Sequence, residues 1–170
     1  MNKLISRKLI EAVKNLDYKH DSFYIFDKET FIDEINHFKN SFNNNISIFS
    51  YSYKTNYCKP LISMINEYNF LSEVVSPFEV DLTKIYNIKA SNIIYNGPIK
   101  DQESIKYVAE GGGIVNADNF NELDLLVKVK HDLKCDIKLG IRLSFESENL
   151  SSRFGIEFNK NNGFVLISLR

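Results

Sequence analysis

A chain of 170 residues suits one domain with a sizeable core, and 44% hydrophobic with 25% charged residues is the make-up of a folded globular protein. The net charge of -1 gives no electrostatic case for a nucleic-acid or membrane-surface partner. The opening MNKLISRKLIEAVKNL spreads its charges and holds no apolar run, unlike a signal peptide, and no stretch approaches the roughly 18 apolar residues of a membrane span. The two cysteines, Cys58 and Cys135, are far apart and form no metal-type pair, so a reduced, cytoplasmic setting is expected.

In chain order, Leu4, Ile5, Leu9, Ile10 and Val13 have helical spacing and predict a helix over 3–15. Phe23-Tyr24-Ile25-Phe26 reads as a short strand closed by Asp27. Thr30, with Asp33 three residues on, is the expected cap of a helix whose apolar stripe is Phe31, Ile35 and Phe38. An alternation then sets in: strand 46–53, helix 59–68, strand 72–75, helix 78–86, strand 92–95, helix 101–110, strand 113–117, helix 119–130 and strand 136–143. Strand then helix with short joins predicts a parallel sheet with right-handed crossovers. The run fits either a (β/α)8 barrel or an open doubly wound sheet. Residues 163–169, Gly-Phe-Val-Leu-Ile-Ser-Leu, resemble the start of a sixth strand. The expected organisation is a lead-in over 1–45, five β/α units over 46–157, and a tail over 158–170 with a truncated sixth strand. Such a barrel could not close on eight strands.

The strand ending at Lys54 is the most informative segment. Period two sets Ile46, Ile48, Ser50, Ser52 and Lys54 on one face and Ser47, Phe49, Tyr51 and Tyr53 on the other. The first face is small and turns polar toward its carboxyl end, where parallel α/β folds bind ligands. A lysine partly sheltered there loses its proton readily, as a Schiff-base lysine must. From pattern alone, a strand-end lysine reaching solvent is the plain alternative.

Several segments, in this order and spacing, carry a resemblance. They are Tyr51-Ser52-Tyr53-Lys54-Thr55-Asn56, Ser72-Glu73-Val74-Val75-Ser76, and Ile93-Ile94-Tyr95-Asn96-Gly97-Pro98-Ile99-Lys100. They continue with Val115-Asn116-Ala117-Asp118-Asn119, Gly140-Ile141-Arg142-Leu143 and Ser152-Arg153-Phe154-Gly155-Ile156. From about Phe23 to Ile156 the chain resembles the fold type III pyridoxal-phosphate (PLP) decarboxylases of ornithine, diaminopimelate and arginine, with alanine racemase a more distant relative. The resemblance implies an α/β fold: a partial PLP-binding (β/α)8 TIM-type barrel, alanine-racemase-like, with the C-terminal strands and β domain absent. It implies PLP held as a Schiff base on Lys54, and Arg142 near the phenolic oxygen of the ring. Glu73 on a neighbouring strand would grip that guanidinium through a paired hydrogen bond. Glu73, Ser76 and Asn56 join Lys54 and Arg142 as implied cofactor-binding residues, and Asn96 lies where the family lines the barrel mouth. An ordinary strand-end ion pair remains open for Arg142 and Glu73, and plain turn or capping roles for Asn56, Ser76 and Asn96.

The implied activity is PLP-dependent decarboxylation of a basic or dibasic amino acid, diaminopimelate first and ornithine or arginine next. The implied partner is that small amino acid, and full-length relatives are homodimers. The ring-stacking histidine, phosphate loop, ring-nitrogen acid and β domain of the family fall past Arg170, and His20, His37 and His131 match none of these. The chain is therefore expected to be an incomplete enzyme. The alternatives are a non-catalytic PLP-binding or regulatory decarboxylase-like protein, or a non-functional gene fragment. Gly111-Gly112-Gly113 follows a helix and precedes a strand, the reverse of a phosphate cradle, and reads as a helix cap with a turn. Cys58, with no histidine close in sequence, reads as a small buried residue. The Asn45-Ile46-Ser47 and Asn149-Leu150-Ser151 glycosylation patterns carry no weight without a secretory signal.

Overall fold

The computed structural model describes residues 7–16, 24–42, 47–134, 136–144 and 154–157. The chain divides into two compact units, Met1–Ser47 and Ile48–Arg170.

The first unit holds helices α1 (Arg7–Lys14) and α2 (Lys28–Asn40). Residues 24–26 form no strand, and all three side chains are exposed. The expected cap Thr30 is instead the capped residue. Asp27 Oδ1 accepts from the Thr30 amide at 3.1 Å and Oδ2 from the Thr30 hydroxyl at 2.9 Å. A carboxylate at this position answers an amide that the first helical turn leaves unbonded. Phe26, just before the cap, packs on Phe31 in the second turn with ring centroids 5.2 Å apart, a hydrophobic staple. The aromatic run read as a strand thus sets the angle at which the chain enters α2. Of the apolar stripe, Ile35 is buried and Phe38 is exposed.

The second unit is the strand–helix alternation. Its strands are β1 (Ser50–Ser52), β2 (Leu71–Val74), β3 (Ile93–Tyr95), β4 (Ile114–Ala117) and β5 (Lys138–Ile141). Between them run α3 (Lys59–Glu67), α4 (Pro77–Ile85), α5 (Gln102–Glu110) and α6 (Phe120–Leu133). The sheet order is β1-β2-β3-β4-β5, every pair parallel. This winding advances one strand at a time and never reverses. That selects the barrel-type arrangement over the doubly wound sheet, whose order turns back at a switch point.

Burial alternates along β2, β3 and β4. Ser72, Val74, Ile93, Tyr95, Val115 and Ala117 point into the buried layer, together with Ile62, Ile65, Val80, Ile105, Val108, Leu126 and Val129 of the helices. Glu73, Ile94 and Asn116 take the other face. Two strands depart from expectation. β1 ends at Ser52, because residues Tyr53–Thr55 turn into a 3-10 helix in which the Thr55 hydroxyl donates to the Ser52 carbonyl at 2.7 Å. Lys54 therefore sits on a turn rather than on the strand. The last expected strand splits at Arg142, whose amide donates to the Ala117 carbonyl while its own carbonyl accepts from the Ile156 amide. Beyond it, β6 (Leu143–Ser144) pairs in parallel with β7 (Ile156–Glu157). The expected strand at 163–169 lies outside the described residues. The triple glycine closes α5: Gly111 is its C-cap, Gly112 has φ +79°, and the Gly113 amide donates back to the Val108 carbonyl.

Candidate functional site

The carboxyl ends of the five strands surround a cavity of about 580 Å³, within the usual size range for small-molecule sites. Lys54 reaches it from the turn after β1. That turn is held by its neighbours: Tyr53 is fully buried with its hydroxyl 3.1 Å from Ser72 Oγ, and the Tyr51 hydroxyl donates to the Asn56 carbonyl. Lys54 itself stays exposed, flanked by a fixed backbone.

Beginning on β2, next to β1, three polar side chains form a ladder across the sheet. The Asn116 amide of β4 donates to Asn96 Oδ1 just past β3, and Asn96 Nδ2 donates to Glu73 Oε1 of β2 at 2.9 Å. Asn116 stands directly opposite Gly140 of β5 in the register. A side chain at 140 would begin 1.8 Å from Asn116 Oδ1, so the glycine is what lets Asn116 lie across the sheet. Gly97, at φ +96°, packs so tightly on the Val75 carbonyl that a Cβ would fall 2.2 Å from it. This seats the Asn96-Gly97-Pro98 turn on the end of β2.

Arg142 enters from the far side. Its Nη1 donates to Asp118 Oδ1 at 3.0 Å, and its guanidinium lies 5.0 Å from the Phe154 ring centroid. The expected grip of Glu73 on Arg142 is not formed: Glu73 bonds Asn96, and the carboxylate on Arg142 is Asp118. The strand order gives the reason. Asp118 follows β4, next to Arg142, whereas Glu73 lies on β2, three strand spacings away, roughly 14 Å in a flat sheet.

Of the five residues proposed from sequence, Lys54, Glu73 and Arg142 line the cavity together; Ser76 and Asn56 do not. The Ser76 hydroxyl accepts from the Glu79 amide at the start of α4, and Asn56 Oδ1 accepts from the Cys58 amide at 2.9 Å. These are the cap and turn roles left open above. Cys58 is exposed, against the buried reading. Asn96, which the resemblance put at the barrel mouth, lines the cavity with Asn116, Gly140 and Phe154, and Asp118 holds Arg142; a glycine inside a strand pattern is the signal that could have marked the close approach. Glu79, buried beside the cavity wall, accepts from the Val75 amide at 2.7 Å. Burial pushes its carboxyl above the ordinary range; that amide opposes the rise, the charge of Glu73 adds to it, and Lys54 draws it back.

Among the described residues no three His, Cys, Asp or Glu side chains are grouped to hold a metal ion, and no helix is long and apolar enough to cross a membrane. A primary amine, a guanidinium and an amide-supported carboxylate around one small-molecule cavity suit an aldehyde-bearing aromatic anion such as pyridoxal phosphate.

Comparison with curated protein sequences gives no match. Solved structures with similar folds include diaminopimelate decarboxylase from Helicobacter pylori complexed with L-lysine (TM-score 0.72, 19% identity, 87% of this chain and 40% of that one). Another is the arginine decarboxylase of Paramecium bursaria Chlorella virus bound to agmatine (0.69, 18%, 88% and 40%). A third is lysine/ornithine decarboxylase from Vibrio vulnificus complexed with putrescine (0.64, 16%, 81% and 40%). The chain thus spans about 40% of the length of these proteins. Residues 28–167 match the family model for the pyridoxal binding domain of pyridoxal-dependent decarboxylases. With that match covering most of its length, and with a lysine, an arginine and a carboxylate at the strand ends, the chain belongs to the pyridoxal-dependent decarboxylases, whose cofactor is pyridoxal phosphate.

Proposed function

We propose that this chain supplies the N-terminal part of the cofactor-binding barrel of a decarboxylase acting on a basic or dibasic amino acid, with Lys54 as the lysine that holds pyridoxal phosphate. The observation that carries the reading is the meeting of Lys54, Glu73 and Arg142 at one cavity on the carboxyl ends of parallel strands. When bound, the cofactor supplies an electron sink for the pair left behind as carbon dioxide departs. The chain's own residues do the rest. Lys54 offers its amine to the cavity from a hydrogen-bonded turn, where it would also be placed to hand a proton back. Arg142, fixed by Asp118 and Phe154, would offer its cation to the phenolic oxygen side of the ring. Glu73 is kept as an oriented acceptor by Asn96, which Asn116 in turn orients.

Diaminopimelate is the first substrate to test, because Ser72-Glu73-Val74-Val75-Ser76 and Asn96-Gly97-Pro98 resemble that branch best. Ornithine and arginine follow. The test is to mix the purified chain with pyridoxal phosphate, reduce with borohydride, and map the modified peptide by mass spectrometry. A pyridoxyl group on Lys54 alone, lost in Lys54→Ala, is the expected result. Labelling scattered over surface lysines, or none, would sink the assignment. Carbon dioxide release from each amino acid by the protein joined to a C-terminal partner then ranks the substrates.

A further inference from the structure

Two charged side chains outside this reading are buried as deeply as the core. Lys100 ends the turn that starts at Asn96, and Glu122 stands in the first turn of α6. Their side chains are 0% and 9% exposed, with Nζ 2.7 Å from Oε2. Removing two charges from water is unfavourable, and an apolar pair of similar volume often serves stability as well or better. A pair kept this deep therefore calls for a local reason.

The contacts at each end supply one. Lys100 Nζ also donates to the Gly97 carbonyl, closing the turn whose Gly97 and Pro98 line the cavity. Glu122 Oε2 also accepts from the Asp118 amide at 2.9 Å, and Asp118 Oδ1 is the acceptor that holds Arg142. One carboxylate oxygen thus connects the Gly97–Pro98 wall to the holder of the guanidinium. The other oxygen, Oε1, is buried without a hydrogen-bond partner among the described residues. Both donors converge on Oε2, which favours connection over even solvation of the carboxylate. Helix capping alone does not require the lysine. Two units earlier, Ser76 and Glu79 build the same arrangement on α4, with Glu79 Oε2 on the Val75 amide and no lysine bonded to it among the described residues.

We propose that Lys100 and Glu122 are positioning residues: their ion pair fixes the Gly97–Pro98 wall and, through Asp118, the guanidinium of Arg142. The consequence for cofactor affinity rests on the reading of the cavity as the pyridoxal-phosphate site. The test uses the 170-residue chain. In the double variant Lys100→Met/Glu122→Gln both charges go, while the glutamine still accepts from the Asp118 amide. Lys100→Arg keeps the cation. Three readouts are taken: the melting temperature, amide hydrogen exchange over 96–100 and 116–120 without cofactor, and the dissociation constant for pyridoxal phosphate.

The double variant is expected to melt within about 4 °C of the native chain. Its exchange over the two segments rises about tenfold, and its affinity for pyridoxal phosphate falls about tenfold, each the size of one lost hydrogen-bonded contact. Lys100→Arg stays near native in all three. Unchanged protection or unchanged affinity in a folded double variant overturns the proposal. So does a variant that melts early and exchanges faster throughout, because that marks a merely structural pair. If the native chain itself takes up no pyridoxal phosphate on Lys54, the cavity reading fails separately. The pair is still judged by the exchange measurement, which needs no cofactor.

Discussion

Replacing Gly140 with alanine puts a methyl group where the ladder has no room for one. The new Cβ would sit 1.8 Å from Asn116 Oδ1. An ordinary carbon–oxygen contact is about 3.3 Å or more, so the overlap is roughly 1.5 Å and no small adjustment absorbs it. Gly140 does not have positive φ, so its backbone accepts alanine and the whole penalty lies in the side chains. Asn116 must swing away, and its amide leaves Asn96. The lost hydrogen bond costs about 1 kcal/mol and the overpacking about 1–3 kcal/mol, while the stiffer unfolded chain returns roughly 0.5 kcal/mol. The net is a destabilisation of about 1.5–3.5 kcal/mol, or a fall in melting temperature of roughly 3–14 °C for a chain of this size. Thermal and urea unfolding measure it. Asn116→Ala in the same chain removes the obstacle and should recover the overpacking part. A Gly140→Ala chain as stable as the native one, or one that Asn116→Ala fails to relieve, refutes the close packing of the ladder. Gly112→Ala is the control: its φ of +79° carries strain, but the space around it is open, so it should leave cofactor uptake unchanged.

Three further outcomes follow from single contacts. Tyr53→Phe should cost more stability, about 1–3 kcal/mol, than Tyr95→Phe at about 0.5–1.5 kcal/mol. Each loses a hydroxyl bond to a buried serine, but Ser104 keeps the Asp101 carbonyl as acceptor whereas Ser72 keeps no partner among the described residues; equal losses by urea unfolding would contradict this. For Glu79, whose native carboxyl burial raises, the folded state binds the proton more tightly than the unfolded state. Its ionisation therefore erodes stability from about pH 4.3, the ordinary glutamate value, up to the higher native pKa and no further. Glu79→Gln should gain on the native chain across that window, and a difference that is flat with pH speaks against the burial. A double-mutant cycle should couple Arg142 to Asp118 by up to about 1 kcal/mol, the guanidinium being half in solvent, and should leave Arg142 and Glu73 additive. Measurable coupling of Arg142 to Glu73 alone would reverse that assignment.

Much of this architecture was legible because it depends on short-range pattern. Alternating periods of two and 3.6 fixed the order of five strands and four helices, and strand ends collected Lys54, Glu73 and Arg142 at one cavity. The misread elements are those where two local devices compete for the same residues. Tyr24–Phe26 has the composition of a strand, yet a strand requires a partner, and Phe26 finds its contact in the second turn of α2. Asp27 and Thr30 both suit a cap, and only the entry of the chain decides which amide meets which oxygen. Ser76 and Asn56 resemble ligand residues by their place beside the motif, but each lies next to an unbonded helix or turn amide that claims its oxygen first.

The partner of Arg142 was within reach of sequence reasoning and was still misassigned. The sequence reading takes Glu73 as the acid on a neighbouring strand that would hold the guanidinium, and Asp118 is not considered for that role. Sequential winding places each strand end next to the one before and the one after it. A residue at the end of the fifth strand therefore meets the end of the fourth, and Asp118 is the acid there. Glu73 lies three strands back and is claimed by Asn96 from the adjacent strand end. The same rule explains the whole ladder, since Glu73, Asn96, Asn116 and Gly140 lie on or just past four consecutive strands, each meeting the next. A change at the end of β5 must travel along that chain of contacts to reach Glu73. Gly140, at its far end, is therefore the position from which the argument is tested without touching a charged group.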